Sequence, residues 1–217
     1  MIFVNFKTYE QGAGEKALKL VQICQEVEKV TSIKIIPVVQ TADVFRIVSK
    51  IDFSVWVQHV DDIEYGPNTG QILPEAVLAA GAQGTLLSHS ENKLPVEVIQ
   101  ETVKRCQALG LKALVCTESV EEAKEIIGAK PDFLAYEPSE LIGGRVSVAS
   151  AKPGVIKDFV GQIKEIPIIV GAGIHTQEDV RVGIRLGATG VLVASDVVLA
   201  KNPKKELLDL AAGFKKN

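Results

Sequence analysis

The sequence predicts an α/β protein: a (β/α)8 barrel of eight parallel strands with an outer ring of helices, formed as one domain over residues 1–217. Three observations predict it. Short β-rich apolar runs occur eight times, with starts spread from residue 2 to residue 191 at intervals of about 27 residues, the length of one strand, one helix and two loops. The segments between them carry apolar residues at helical spacing. The runs are also apolar on nearly every position, as strands are when helices cover the outer face of a parallel sheet.

In chain order the runs are Ile2 to Phe6, Ile33 to Val39, Ser54 to Val57, Gly84 to Leu87, Ala113 to Cys116, Phe133 to Tyr136, Ile166 to Val170 and Val191 to Ala194. Helical periodicity appears as Leu18, Val21, Ile23 and Val27, then Val96, Ile99 and Val103, and finally Leu207, Leu208 and Ala211. Gly81, Gly110, Gly128 and Gly187 stand where helices should stop. Gly81-Ala82-Gln83-Gly84-Thr85-Leu86 is echoed by Gly187-Ala188-Thr189-Gly190-Val191-Leu192, a spacing near half the chain, as a half-barrel duplication would give. An open doubly wound sheet is the competing fold. It normally places a Gly-x-Gly-x-x-Gly turn after its first strand, where this chain has Asn5-Phe6-Lys7-Thr8.

At 217 residues, one core suffices without disulfides or a structural metal. Hydrophobic residues make up 47% and charged residues 24%, ordinary globular proportions that argue against disorder. The net charge of -3 and the lack of a basic run speak against nucleic acid as a partner. The apolar runs are too short for a membrane span or a cleavable signal, so no membrane partner is expected. Cys24, Cys106 and Cys116 lie within apolar patterns, as buried reduced thiols of a cytoplasmic protein would.

In such a barrel the chemistry sits at the carboxyl ends of the strands. The polar residues there are Asn5 and Lys7, Gln58 and His59, His89 and Glu91, Cys116 and Glu118, Glu137, and Ser195 with Asp196. None has metal-ligand spacing, so neither a metal nor a cofactor is implied. Lys7 follows a bulky apolar strand, where its ammonium can face the barrel mouth and attract an anion; a plain solvated lysine is the alternative. His89 leads into Ser90-Glu91-Asn92, read as a helix start whose dipole keeps the ring neutral; a histidine hydrogen-bonded within the barrel is the alternative. His59 and His175 have no comparable setting. Glu137 ends a strand and precedes Pro138, and a carboxylate against apolar walls has its pKa raised toward that of a useful base. A capping or salt-bridged glutamate fits that position less well.

The segment Leu141-Ile142-Gly143-Gly144-Arg145 reads as a mobile lid or else a surface loop. Gly171-Ala172-Gly173 and Ala194-Ser195-Asp196 are turns of small residues whose backbone N–H groups can approach an anion, although either turn alone is also a simple glycine turn. Taken together, these strand ends imply a small phosphorylated substrate facing a base, a neutral donor and a cation.

The chain resembles the triosephosphate isomerase family, in its shortened archaeal branch. The resemblance rests on Val4-Asn5-Phe6-Lys7, Val57-Gln58-His59, Gly66 through Thr69-Gly70, Leu87-Ser88-His89-Ser90-Glu91, Ala135-Tyr136-Glu137-Pro138, Leu141-Ile142-Gly143 and Gly171-Ala172-Gly173-Ile174. It implies a TIM barrel that interconverts dihydroxyacetone phosphate and D-glyceraldehyde 3-phosphate through an enediolate, in glycolysis and gluconeogenesis. By the same resemblance Glu137 is the base, His89 polarises the carbonyl and shuttles protons, and Lys7 and Asn5 bind substrate and stabilise the enediolate. Gly143, Gly171, Ala172, Gly173, Ala194, Ser195 and Asp196 would hold the phosphate, and Glu91 would sit beside Lys7. Thr69 would reach into a partner subunit, implying a homodimer or homotetramer.

Relatives usually read Gly-Thr-Gly in the lid where this chain has Gly143-Gly144-Arg145, and glycine at Asp196. Asp196 is expected either to cap a short helix beginning near Val197 or to turn to solvent. A phosphate-binding barrel without turnover, or a sugar-phosphate epimerase, is the alternative function.

Overall fold

The structure is a computed structural model and describes residues 1–138 and 153–215. Its strands are β1 (Ile2–Asn5), β2 (Ile35–Val39), β3 (Trp56–Val57), β4 (Gly84–Leu87), β5 (Lys112–Thr117), β6 (Phe133–Tyr136), β7 (Ile168–Val170) and β8 (Gly190–Val193). They close in sequence order, every neighbour parallel, and the barrel shuts where Ile2 pairs with both Ile35 and Val191. The competing open sheet is thereby ruled out. Strands β2, β3 and β7 are shorter than their apolar runs because Ile33, Ser54 and Ile166 lie in the approaches to the ladder.

The helices among the described residues are α1 (Gly14–Thr31), α2 (Val44–Val48), α3 (Pro74–Ala79), α4 (Val96–Leu109), α5 (Val120–Ile126), α6 (Pro153–Gln162), α7 (Gln177–Arg185), α8 (Ser195–Val198) and α9 (Pro203–Ala212). Gly110 ends α4 in the left-handed conformation expected of a glycine stop. Gly128 does not play that part, because α5 ends at Ile126 and a 3-10 turn carries the chain to Ala129, where Lys130 takes the left-handed position.

Strand residues alternate between two cores. Phe3, Ile36, Val38, Trp56, Leu86, Leu114, Cys116, Ala135, Ile169 and Leu192 fill the barrel, while Ile2, Val4, Ile35, Val39, Val115, Leu134 and Val191 pack outward against the helices. Trp56 is the widest filler. Its register partner is Gly84, where an added Cβ would meet the indole at 2.4 Å, so glycine there makes room for the ring. Phe3 and Phe133 complete an aromatic cluster around Trp56, the Phe3 centroid lying 5.2 Å from it.

The sequence echo is also a structural one. Gly81 and Gly187 have φ of 100° and 103°, and the N–H groups of Ala82 and Ala188 return to Val77 and Gly183 carbonyls at the same kind of helix-to-strand joint. All three cysteines are buried and unpaired, with burial raising the Cys106 thiol to about 12. No helix among the described residues is long and apolar enough to cross a membrane.

Candidate functional site

The alternation that fills the barrel also aims the site. Continuing each inward phase by one step past the last inward residue places Asn5 after Phe3, Gln58 after Trp56, Glu137 after Ala135, Gly171 after Ile169 and Ala194 after Leu192, all at the carboxyl rim. Two residues break regular backbone there. Lys7 and Ser88 hold φ of 47° and 55°, uncommon for side chains other than glycine, and each redirects the chain beyond its strand.

Lys7 is kept in that conformation by its neighbours. Asn5 Oδ1 accepts the Lys7 backbone N–H at 3.0 Å, and Gln58 Nε2 donates to the Lys7 carbonyl at 2.8 Å. The Lys7 ammonium meets Glu91 Oε1 at 2.6 Å, with side-chain exposures of 22% and 60%. Asn5, Lys7, Thr8, Gln58, His59, His89 and Glu91 line one cleft of about 170 Å3.

His89 is not at a helix start, because α4 begins only at Val96. A turn closes instead, with Asn92 N–H donating to the His89 carbonyl at 2.8 Å. In that turn the Glu91 backbone N–H donates to His89 Nδ1 at 3.1 Å. A nitrogen that accepts carries no proton, so the neutral ring holds its hydrogen on Nε2. Burial holds the imidazole below its usual pKa, with the Lys7 and then the Lys93 charge adding to it and Glu91 opposing. The ring is therefore neutral, but through desolvation and charge rather than the helix dipole expected from sequence. Nε2 lies 3.7 Å from Glu137 Oε1.

Glu137 is 4% exposed. Burial raises its carboxyl from 4.5 to about 7, against the Cys116 thiol, the Ser90 backbone N–H and the Lys7 and Lys93 charges, which favour the ionised form. Its Oε2 has no hydrogen-bond partner among the described residues. Such a group is poised between charged and neutral forms at neutral pH, as a general base should be.

Gly171 stands against this carboxylate, and an added Cβ would meet Glu137 Cγ at 2.5 Å. Its own N–H donates to the Tyr136 carbonyl at 2.9 Å, so Gly171 supplies space for the base and not the free amide expected of it. Ala172 is buried and Gly173 has φ of 68°. Gly143 and the rest of the segment 141–145, expected to act as a lid, lie outside the described residues.

The expected Asp196 cap is not formed. Helix α8 begins at Ser195 with Ala194 at its N-cap and no side-chain cap, so Asp196 lies inside the first turn. Its Oδ2 is 2.7 Å from His175 Nδ1. His59 likewise has an acid partner, Asp61, at 3.1 Å. Thr69 is exposed in the segment between β3 and α3, near Tyr65 at 78% exposure. Among the described residues, no three His, Cys, Asp or Glu side chains converge as metal ligands.

Sequence reasoning named Gln58 and Cys116 as strand-end residues without giving either a role; the period-two phase that places Gln58 and Glu137 at the rim was the available signal. The His175–Asp196 pair joins residues 21 apart and left no local signal.

A family model described as triosephosphate isomerase matches residues 1–212. The triosephosphate isomerase of Methanobacterium bryantii is 41% identical, the alignment covering 98% of this chain and 96% of that one. That of Saccharolobus solfataricus is 42% identical, covering 96% and 93%. The crystal structure of triosephosphate isomerase from Bartonella henselae superposes with a TM-score of 0.72 at 20% identity, covering 98% of this chain and 96% of that one.

Proposed function

The chain belongs to the triosephosphate isomerase family and is a triosephosphate isomerase, and from that premise we propose how its residues carry the interconversion of dihydroxyacetone phosphate and D-glyceraldehyde 3-phosphate. Glu137 removes a proton from the carbon beside the substrate carbonyl and returns it to the neighbouring carbon. His89 donates from Nε2 to the carbonyl oxygen and then relays protons between the two oxygens of the enediolate. Lys7 and Asn5 face the same oxygens and stabilise the negative charge that develops there.

One observation carries this reading. The Glu91 N–H occupies His89 Nδ1, so the ring presents a neutral Nε2–H donor 3.7 Å from a buried carboxylate poised near 7. A neutral imidazole can give up a proton and take it back without an imidazolium forming beside the Lys7 ammonium. Glu91 serves twice, its backbone fixing the histidine tautomer and its side chain steering Lys7.

The phosphoryl group is assigned to backbone N–H groups at Gly173 and Ser195, with Ala172, Ala194 and Asp196 in the same turns; Gly143, outside the described residues, is proposed as a further contact to it. Glycolysis and gluconeogenesis are the setting of this reaction, and the cytoplasm is the proposed location. A homodimer or homotetramer is proposed from the exposed Thr69 and Tyr65 segment, and sedimentation of the purified chain tests it. A coupled assay in both directions, on protein purified free of host isomerase, tests the function. Turnover of both triose phosphates supports it, and no turnover overturns it.

A further inference from the structure

The strongest feature that the reaction leaves unused is the His175–Asp196 contact, because it spans the two turns assigned to the phosphoryl group. His175 lies two residues beyond Gly173, and Asp196 is next to Ser195. A carboxylate only accepts, so Nδ1 donates to Oδ2 across the 2.7 Å separation in a charge-assisted hydrogen bond.

Each end of the contact is anchored in its own element. The His175 and Thr176 N–H groups both donate to Asp179 Oδ2, at 3.1 and 2.8 Å, within the capping box that opens α7. On the other side, the Ala194 carbonyl accepts from Val197 and Val198 at 3.1 and 2.9 Å and fixes the first turn of α8. Between the two elements the sheet supplies little, since the β7–β8 register stops at Val170 and Val191. Among the described residues, no other hydrogen bond joins residues 171–176 to residues 194–198.

We propose that His175 is a positioning residue: its hydrogen bond to Asp196 clamps the Gly173 turn to the Ser195 turn, and so sets affinity for the phosphoryl group and not the rate of proton transfer. Asp196 brings a negative charge into a turn meant for an anion, and His175 occupies that carboxylate while spacing the turns. The inference rests on the reading that these two turns hold the phosphoryl group. The pair is part-exposed, 33% and 40%, so its influence is modest. A coupling of the size measured for such pairs corresponds to about two- to fivefold in affinity.

The test compares wild type, His175→Ala, His175→Asn, Asp196→Gly and the double substitution, all shown to be folded by circular dichroism. The probes are glyceraldehyde 3-phosphate in steady-state kinetics and inorganic phosphate in titration calorimetry. His175→Ala is expected to raise KM and the phosphate dissociation constant together by about two- to fivefold, with the change falling on KM and not kcat. His175→Asn, which keeps an N–H donor near the Nδ1 position, should stay close to wild type. Adding His175→Ala to Asp196→Gly should change neither constant further. An unchanged phosphate affinity in His175→Ala, or the same loss in both backgrounds, overturns the clamp. A wild type that binds phosphate without isomerising would strike the functional reading instead, and the calorimetric comparison would still decide on the clamp.

Discussion

Replacing Glu137 by glutamine removes a buried charge that the fold tolerates at a cost, and the cost can be worked from its surroundings. Burial raises the carboxyl from 4.5 to about 7. Between those values the folded protein holds a proton that the unfolded chain has lost. Stability from this group is therefore fully present below about pH 4.5 and is lost as pH rises through 7. At about 1.4 kcal/mol per pKa unit, the loss reaches about 3 kcal/mol above neutrality. Glutamine has nearly the same shape and does not titrate, so Glu137→Gln escapes this loss. The variant also exchanges one acceptor oxygen for an amide facing the Cys116 thiol and the Ser90 N–H, which adds an offset independent of pH. The pH-dependent part of the difference is what counts. His89 titrates in the opposite sense, its lowered pKa removing stability as pH falls, but it is present in both proteins and largely drops out of the comparison. Urea unfolding of both proteins from pH 5 to 8.5, at one fixed protein concentration, reads the difference. Glu137→Gln should gain about 2.5 kcal/mol on wild type between the ends of that range, because part of the loss is already present at pH 5. A difference that stays flat across the range would refute the argument that Glu137 is a desolvated, elevated carboxyl.

The same geometry sets four further outcomes. Removing the thiol that favours the charged base, Cys116→Ala, should move the Glu137 titration to higher pH, read from the acid limb of kcat. Nitrogen-15 NMR of His89 should show one neutral tautomer with the proton on Nε2, and a ring titrating near the ordinary value of about 6.5 would contradict it. Gly171→Ala forces a Cβ against Glu137 Cγ at 2.5 Å and should depress kcat about tenfold or more through misplacement of the base, with little change in secondary structure by circular dichroism. Gly84→Ala drives a Cβ into the Trp56 indole and should destabilise by about 1 to 3 kcal/mol, measured by urea unfolding, with the site intact in the molecules that remain folded.

The barrel was legible because its determinant is periodic. Apolar runs at near-constant intervals and glycine joints such as Gly81 and Gly187 report the βα unit directly, and eight of them favour closure. The proposed catalytic residues stand out for the same reason: strand ends mark the mouth, and Asn5, Lys7, His89 and Glu137 all stand at strand ends or one turn beyond. The reasons behind their behaviour were less legible. His89 is neutral because of burial, the Lys7 charge and a backbone N–H from two residues on, contacts made by folding, whereas sequence suggested a helix start at Ser90. Gly171 looked like an anion-binding turn, yet its absent side chain makes room for a carboxylate 34 positions earlier in the chain. Asp196 looked like a cap at a strand-to-helix junction, but the helix begins one residue before it and His175 takes the carboxylate. In each case the missing information was a contact that only the folded chain makes.

Glu137 is proposed to move a carbon-bound proton while His89, Lys7 and Asn5 stabilise the enediolate. The most direct test is proton NMR of dihydroxyacetone phosphate incubated with the purified protein in deuterium oxide. Wild type should form glyceraldehyde 3-phosphate and place solvent deuterium on the reacting carbon. Glu137→Gln should lose both isomerisation and deuterium uptake by about a hundredfold or more. Deuterium uptake at the wild-type rate in Glu137→Gln would contradict the account, because another group would then be the base.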